Sequence, residues 1–179
     1  MQLLQKILVT IIVGFLLASC NQEPTLQKYY VENEKKDGFG VFDIPRGVVG
    51  LKEDKLTPQQ NKAYQSVDKL NVLVFKKTEA NAETYKAETS KVKSLLKNES
   101  YTELIKFKDK NTNAVVKYLG TETAIDEVII FGSDDKTGFG IVRVLGNDMK
   151  PEDMVTLIDA MRTANIDGTQ LKEIANFFQ

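Results

Sequence analysis

Apolar residues recur along the chain with several different rhythms, and these rhythms divide it. Ile7 to Ala18 is an almost unbroken apolar run, and Asn21 to Asp37 is polar except for Tyr29-Tyr30-Val31. Gly38-Phe39-Gly40-Val41-Phe42-Asp43-Ile44 then places Phe39, Val41 or Phe42, and Ile44 as a strand stopped by Pro45. Thr57-Pro58-Gln59-Gln60 has the signature of a helix start, with Thr57 as N-cap, Pro58 in the first turn and Gln60 closing a capping box. Ala63, Tyr64, Val67 and Leu70 follow at helical spacing. Val72-Leu73-Val74-Phe75 is a continuous apolar run of strand length, expected of a strand buried on both faces. Glu79 to Asn98 reads as a charged helix with the apolar stripe Tyr85, Val92, Leu95 and Leu96.

From Tyr101 the period changes to two. Four apolar runs, Tyr101–Phe107, Val115–Leu119, Ile125–Phe131 and Phe139–Leu145, are separated by short turn-rich segments. Connections that short allow hairpins and exclude helical crossovers, so these runs predict a four-strand meander. Pro151-Glu152-Asp153 starts a further helix with acidic residues at its positive end and a face of Met154, Leu157, Ile158 and Met161. A last amphipathic segment, Thr169 to Phe178, carries Leu171, Ile174, Ala175 and Phe178 on one side. The expected fold class is α+β: a single domain with a largely antiparallel sheet, its C-terminal part a four-strand meander, covered by helices. Gly38-Phe39-Gly40 and Gly138-Phe139-Gly140 read as two glycine-flanked strand starts rather than an internal repeat.

Composition narrows the chemistry. The 179 residues carry 24 basic and 25 acidic side chains, net −1, which gives no field to hold a polyanion; no nucleic-acid partner is expected. Histidine is absent and Cys20 is the single cysteine. These counts exclude a Ser-His-Asp triad, a Cys-His pair, an imidazole metal ligand and an intrachain disulfide. No catalytic, cofactor-binding or metal-ligating residue is assigned from sequence, and no cofactor is expected.

The first residues have the form of an address. Lys6, a short apolar core and small residues before a cut site make a secretory signal peptide over residues 1–19. The run is shorter than the roughly 20 apolar residues a membrane-spanning helix needs, against the alternative of an uncleaved anchor. Leu17-Ala18-Ser19-Cys20 resembles the bacterial lipobox. That resemblance implies cleavage between Ser19 and Cys20, diacylation of the Cys20 thiol and acylation of the new amine. Two or three acyl chains hold stably to a bilayer where one does so marginally. Residues 20–37 are then the lipidated cysteine and a tether spanning roughly 20 Å, on which Tyr29-Tyr30-Val31 is free to dock. Residues 38–179 form the α+β domain. No polybasic run beside the cysteine supports the anchor.

Other candidates have plainer readings beside the chemical ones. Ser133-Asp134-Asp135-Lys136-Thr137-Gly138 is acidic and glycine-bounded but lacks the alternating ligands of a calcium loop; it reads as a hairpin turn. Asp43, Glu103, Asp126 and Glu127 are the carboxylates from which a histidine-free chain could build an acid/base pair. Lys86, Lys91, Lys93 and Lys97 interleave with Glu79, Glu83 and Glu88 as an exposed, ion-paired helix face. Phe177-Phe178 reads as a core or docking cap.

The lipobox, Phe42-Asp43-Ile44-Pro45, Leu70 to Phe75, Tyr101-Thr102-Glu103-Leu104, Ile125-Asp126-Glu127-Val128 and Leu145-Gly146-Asn147 occur in this order. Together they resemble an uncharacterised family of small Bacteroidota lipoproteins catalogued as a domain of unknown function. The resemblance implies an envelope protein of a diderm host and carries over no catalytic residue. The expected function is a lipid-anchored, non-enzymatic module that binds a periplasmic protein partner or small ligand. A carboxylate-based hydrolase of envelope glycans or peptides is the alternative, and a carrier of apolar molecules between sheet and helices a third reading. Asn21 rather than Asp follows Cys20, so the common inner-membrane retention signal is absent; only Glu23 is acidic before Pro24, so surface export is not indicated. The expected location is the periplasmic face of the outer membrane, reached through the lipid anchor at Cys20.

Overall fold

A computed structural model describes residues 24–163 except 50, 110, 111 and 122, together with 174, 176 and 177. Its described elements run α1 (Leu26–Asn33), β1 (Phe39–Pro45), two 3₁₀ turns (Arg46–Val48 and Glu53–Lys55), α2 (Pro58–Gln65), β2 (Val67–Lys76), α3 (Ala82–Leu95), β3 (Tyr101–Lys108), β4 (Thr112–Gly120), β5 (Ile125–Asp134), β6 (Gly138–Met149) and α4 (Pro151–Thr163). The six strands form one sheet in the order β1-β2-β6-β5-β4-β3, every pair antiparallel. Strands β3 to β6 follow one another as neighbours, and β2 pairs with the far edge of β6, between β6 and β1. This is a mixed α+β architecture, with helices on both faces.

The two faces divide the core. One holds Leu73, Phe75, Ile129, Phe131, Phe139 and Ile141 under α1 and α3, which contribute Leu26, Tyr29, Tyr85 and Val92. The other holds Val72, Val74, Val128 and Val144 under α2 and α4, which contribute Tyr64, Met154 and Leu157. Thus Val72 to Phe75 are all buried, two to each side, as the continuous apolar run requires. Glycine fixes one corner: a Cβ on Gly138, at φ +129°, would lie 1.9 Å from the Phe75 carbonyl oxygen. The two Gly-Phe-Gly segments flank the same residue, because Phe39 and Phe139 both pair with Phe75. Their rings meet Phe75 at 4.8 Å edge-on and 5.4 Å stacked, arrangements favoured by the ring quadrupole.

Thr57 accepts from the Gln60 N–H at 3.2 Å while the Gln60 side chain accepts from the Thr57 N–H at 2.9 Å, so the capping box forms as read. Two expectations are corrected. The helical spacing of Ala63, Tyr64, Val67 and Leu70 does not continue past Gln65: Val67 and Leu70 lie in β2. A register shift between Val67 and Lys69 puts both residues, three apart, in the same core cluster, which imitates helix periodicity. Residues 20–37 are likewise not tether throughout. Leu26–Asn33 is a helix, capped by Thr25 and packed through Leu26, Tyr29 and Tyr30. Its buried positions stand at i, i+3, i+4 and i+7, with Asn33 in the last; the polar asparagine hides the pattern. The Asn33 amide donates to the Tyr29 carbonyl at 2.7 Å. Met161, Leu171, Ala175 and Phe178 of the last expected segments lie outside the described side chains, whereas Ile174 and Phe177 pack against the second face.

Candidate functional site

The second face carries a pocket. Between it and α2 and α4 lies a cavity of about 410 Å³, inside the ~300–1,000 Å³ range of small-molecule sites. Its floor is built from Val72 and Val74 of β2, Val142 and Val144 of β6, and Val128 and Ile130 of β5. Tyr64, Met154, Leu157 and Ile158 bound it from the helices. The cause of the space is local. Gly132 and Gly140 pair directly across β5 and β6 and both line the pocket. A Cβ on Gly132 would meet no atom within 4 Å, and one on Gly140 would find only the Val74 methyl at 3.7 Å and the Leu73 carbonyl at 4.0 Å. Every described lining side chain is apolar apart from Tyr64, whose hydroxyl donates to the Arg46 carbonyl at 2.8 Å. Burial raises the Tyr64 phenol above its ordinary value.

The first face carries a buried ion pair. Arg143 Nε and Nη2 donate to the two Glu127 carboxylate oxygens at 2.7 and 2.8 Å, with side chains 12% and 8% exposed. Burial opposes the charge on Arg143, yet the Glu127 carboxylate overrides it and holds the guanidinium above its ordinary value. The guanidinium also lies 5.4 Å from the Tyr30 ring centre, whose hydroxyl donates to the Ile141 carbonyl at 2.8 Å. Helix α1 therefore closes over the pair.

The sequence candidates fare differently. Asp43 on β1 accepts from the Asn71 amide and is three strands from Glu127 on β5, about 14 Å at ordinary strand spacing. Glu103 on β3 stands two strands from Glu127 and 4.0 Å from Lys106. Asp126 is exposed beside buried Glu127. The four carboxylates do not converge, and the most buried of them already has a counter-ion. Asp134 accepts from the Lys136 and Thr137 N–H groups at 2.9 and 3.0 Å, which lower its carboxyl below the usual range; the 133–138 segment closes the β5–β6 hairpin. Among the described residues no three His, Cys, Asp or Glu side chains are grouped to hold a metal. Of the α3 lysines, Lys86 meets Glu83 at 2.7 Å and Lys91 meets Glu32 at 3.6 Å, while Glu88 accepts from the Tyr29 hydroxyl at 2.8 Å instead. Ser19 and Cys20 lie outside the described residues, and no described helix is long and apolar enough to cross a membrane. Sequence reasoning missed the two glycines and Arg143. The glycines lie at the margins of the Ile125–Phe131 and Phe139–Leu145 runs, where they read as turn and strand start, so their pairing carried no local signal.

Fold and site together define an α+β module with an apolar pocket on one face of an antiparallel sheet and a neutralised ion pair on the other. The chain belongs to the family described as a domain of unknown function (DUF4252), whose model matches residues 29–157. That span runs from Tyr29 in α1 to Leu157 in α4 and includes all six strands. No curated protein and no solved structure matches the chain.

Proposed function

We propose that the protein is a lipid-anchored, non-enzymatic binding module of the bacterial envelope that takes an apolar ligand in the pocket under α2 and α4. In this reading Cys20 is acylated after cleavage behind Ser19, the host is one of the Bacteroidota, and the domain sits on the periplasmic face of the outer membrane. The lipobox resemblance supports the anchor. The pocket carries the binding: 410 Å³ of apolar-lined space is nearly three times an engineered cavity of about 150 Å³ that takes up benzene, so on that scale it suits a ligand of about fifteen carbons. Ten buried methylenes contribute about 8 kcal/mol, part of which offsets the cost of immobilising the ligand.

Displacement of a fluorescent fatty acid, with native mass spectrometry of protein taken from its own membranes, tests the pocket. Uptake by the wild-type chain and its loss in Gly132→Leu, with unchanged circular dichroism, is the expected result. A wild-type chain that carries nothing and takes up no probe overturns it. Labelled palmitate tests the anchor separately: incorporation into Cys20→Ser overturns the lipobox reading. Protease added to intact cells is expected to leave the protein whole, and to digest it once the outer membrane is opened; digestion in intact cells overturns the orientation.

A further inference from the structure

Five lysines far apart in the chain meet at one edge of the sheet. Lys93 and Lys97 come from the C-terminal end of α3 and just beyond it, Lys106 and Lys108 from β3, and Lys117 from β4; all line one cleft of about 260 Å³. Leu96, Val115 and Phe131 give that cleft an apolar floor. Glu103 is the single acidic side chain among its described lining residues, 4.0 Å from Lys106; Asp109 follows Lys108 at the hairpin tip. Lys106 and Lys108 lie on an edge strand with no further neighbour, and Lys117 on its neighbour β4; Phe107, 55% exposed, alternates with Lys106 and Lys108 and so stands on the opposite face. Lys117 is paired across the strands with Glu103, and Lys106 and Lys108 with Val115 and Asn113, so one lining carboxylate is shared among five lysines in a chain of net charge −1. The cluster gains from an anion.

The anchor leads to the same place. Pro24 and Thr25 line a small cavity with Leu95 and Asn98, the residues that bracket Leu96 and Lys97 of the basic cleft. Cys20 is four residues before Pro24, a reach of at most about 14 Å. We propose that the lysine cleft forms the surface through which the domain lies against anionic phospholipid, with phosphates among the lysines. Its orientation on the membrane rests on the reading of Cys20 as acylated; its affinity for the lipid surface does not. The sequence holds no polybasic run near the cysteine, and the fold assembles one instead.

Residues 21–179, which contain every described element and lack both leader and cysteine, are mixed with vesicles of phosphatidylcholine alone or with added phosphatidylglycerol, and sedimented. Binding is expected with the anionic vesicles only, falling as salt is raised. Each lysine at such a surface is worth a factor of about five, so Lys106→Glu combined with Lys108→Glu reduces the partition coefficient by about 25-fold or more. Both side chains are exposed, and circular dichroism verifies the fold. Lys62→Glu, a charge reversal at an exposed position of α2 over the other face, leaves vesicle binding unchanged. Equal binding to both vesicle types, salt-independent binding, or binding unaltered by the two reversals overturns the proposal. Capture of soluble polyglutamate without binding to anionic vesicles also overturns it, assigning the cleft to an acidic protein. Palmitate labelling at Cys20 is read independently, so failure of the anchor is distinguishable from failure of this surface.

Discussion

The two faces of the sheet are made by the same strands and differ in what fills the gap beneath the helices. On the first, Phe39, Phe75, Phe131, Phe139 and Tyr85 stand with ring centres 4.8 to 6.4 Å apart, and α1 and α3 close on them. On the second, alternate residues of β2, β5 and β6 are valines, isoleucine and two facing glycines, and 410 Å³ stays open beneath α2 and α4. Topology is shared, so side-chain volume makes the difference. Aromatic rings bury about 150–250 Å² each and span the distance from sheet to helix; short β-branched chains leave room. One face is filled by aromatic rings and the other leaves an apolar-lined space.

The sharpest way to break that comparison is paired truncation. Phe139→Ala removes a ring in contact with four others and is expected to cost about 3–5 kcal/mol. Val142→Ala trims the wall of a space that already exists, where fewer partner atoms are lost, and is expected to cost about 1 kcal/mol or less. Urea melts measure both. Similar losses would mean that the pocket closes in solution.

Removing one partner of the buried pair ranks beside the first of these. Arg143→Met strands Glu127 without its counter-ion, an expected cost of about 3–5 kcal/mol. Replacing both, Arg143→Met with Glu127→Leu, is expected to restore most of it, because apolar residues of similar volume replace an ion pair at little cost. A double variant no better than the single one would show that the pair has a role beyond filling the polar end of an aromatic face.

Alkali loads the first face more than the second, where Tyr64 is the described phenol raised by burial. Tyr30 is raised above its ordinary value by burial, against the opposing charge of Arg143, and Tyr29 is raised by burial and by its hydrogen bond to Glu88. A raised phenol keeps its proton in the folded chain after the unfolded chain has lost it, so the associated stability is complete below about pH 10 and declines above it. The expected slope is about 1.4 kcal/mol per pH unit for each such tyrosine. Tyr30→Phe flattens it, and urea midpoints from about pH 9 to about pH 11 reveal the change.

The parts visible in sequence are those where local pattern and tertiary environment agree. The capping box at Thr57, the run Val72–Phe75 and the four alternating runs after Tyr101 each became the element they suggested. The misreadings have a common form, in which an interaction distant in sequence supplies what the segment lacks. Helix α1 is eight residues with Asn33 at a core position, too short and polar to stand alone, and it forms on the aromatic face. Glu127 was legible as a strand-held acid, but Arg143, sixteen residues away, was not legible as its partner. Gly132 falls in the turn-rich segment after the Ile125–Phe131 run and Gly140 reads as the flank of a strand start, and only the register turns them into one opening. The lysine cleft is the same case: its members are scattered from 93 to 117 and become a patch through the pairing of β3 with β4.

The smallest expected effect bears most directly on the pocket. Gly132 does not carry a left-handed backbone, and a Cβ there meets nothing within 4 Å. Gly132→Leu therefore adds a strand-compatible side chain on the pocket face, opposite Gly140, and its Cβ displaces no neighbour. Replacing glycine within a strand recovers about 0.5–1 kcal/mol of conformational entropy on the scale known for glycine against alanine. Burying the leucine adds to this, less the rotamer freedom it gives up. A net gain of about 1 kcal/mol is expected, a rise of roughly 2–4 °C in Tm for a chain of this size. The measurement is thermal unfolding of ligand-stripped protein. With the apolar ligand present the order reverses, because ligand stabilises only the wild-type chain. A loss of stability in the stripped variant would mean that the space is filled in solution, and that the second face is packed as tightly as the first.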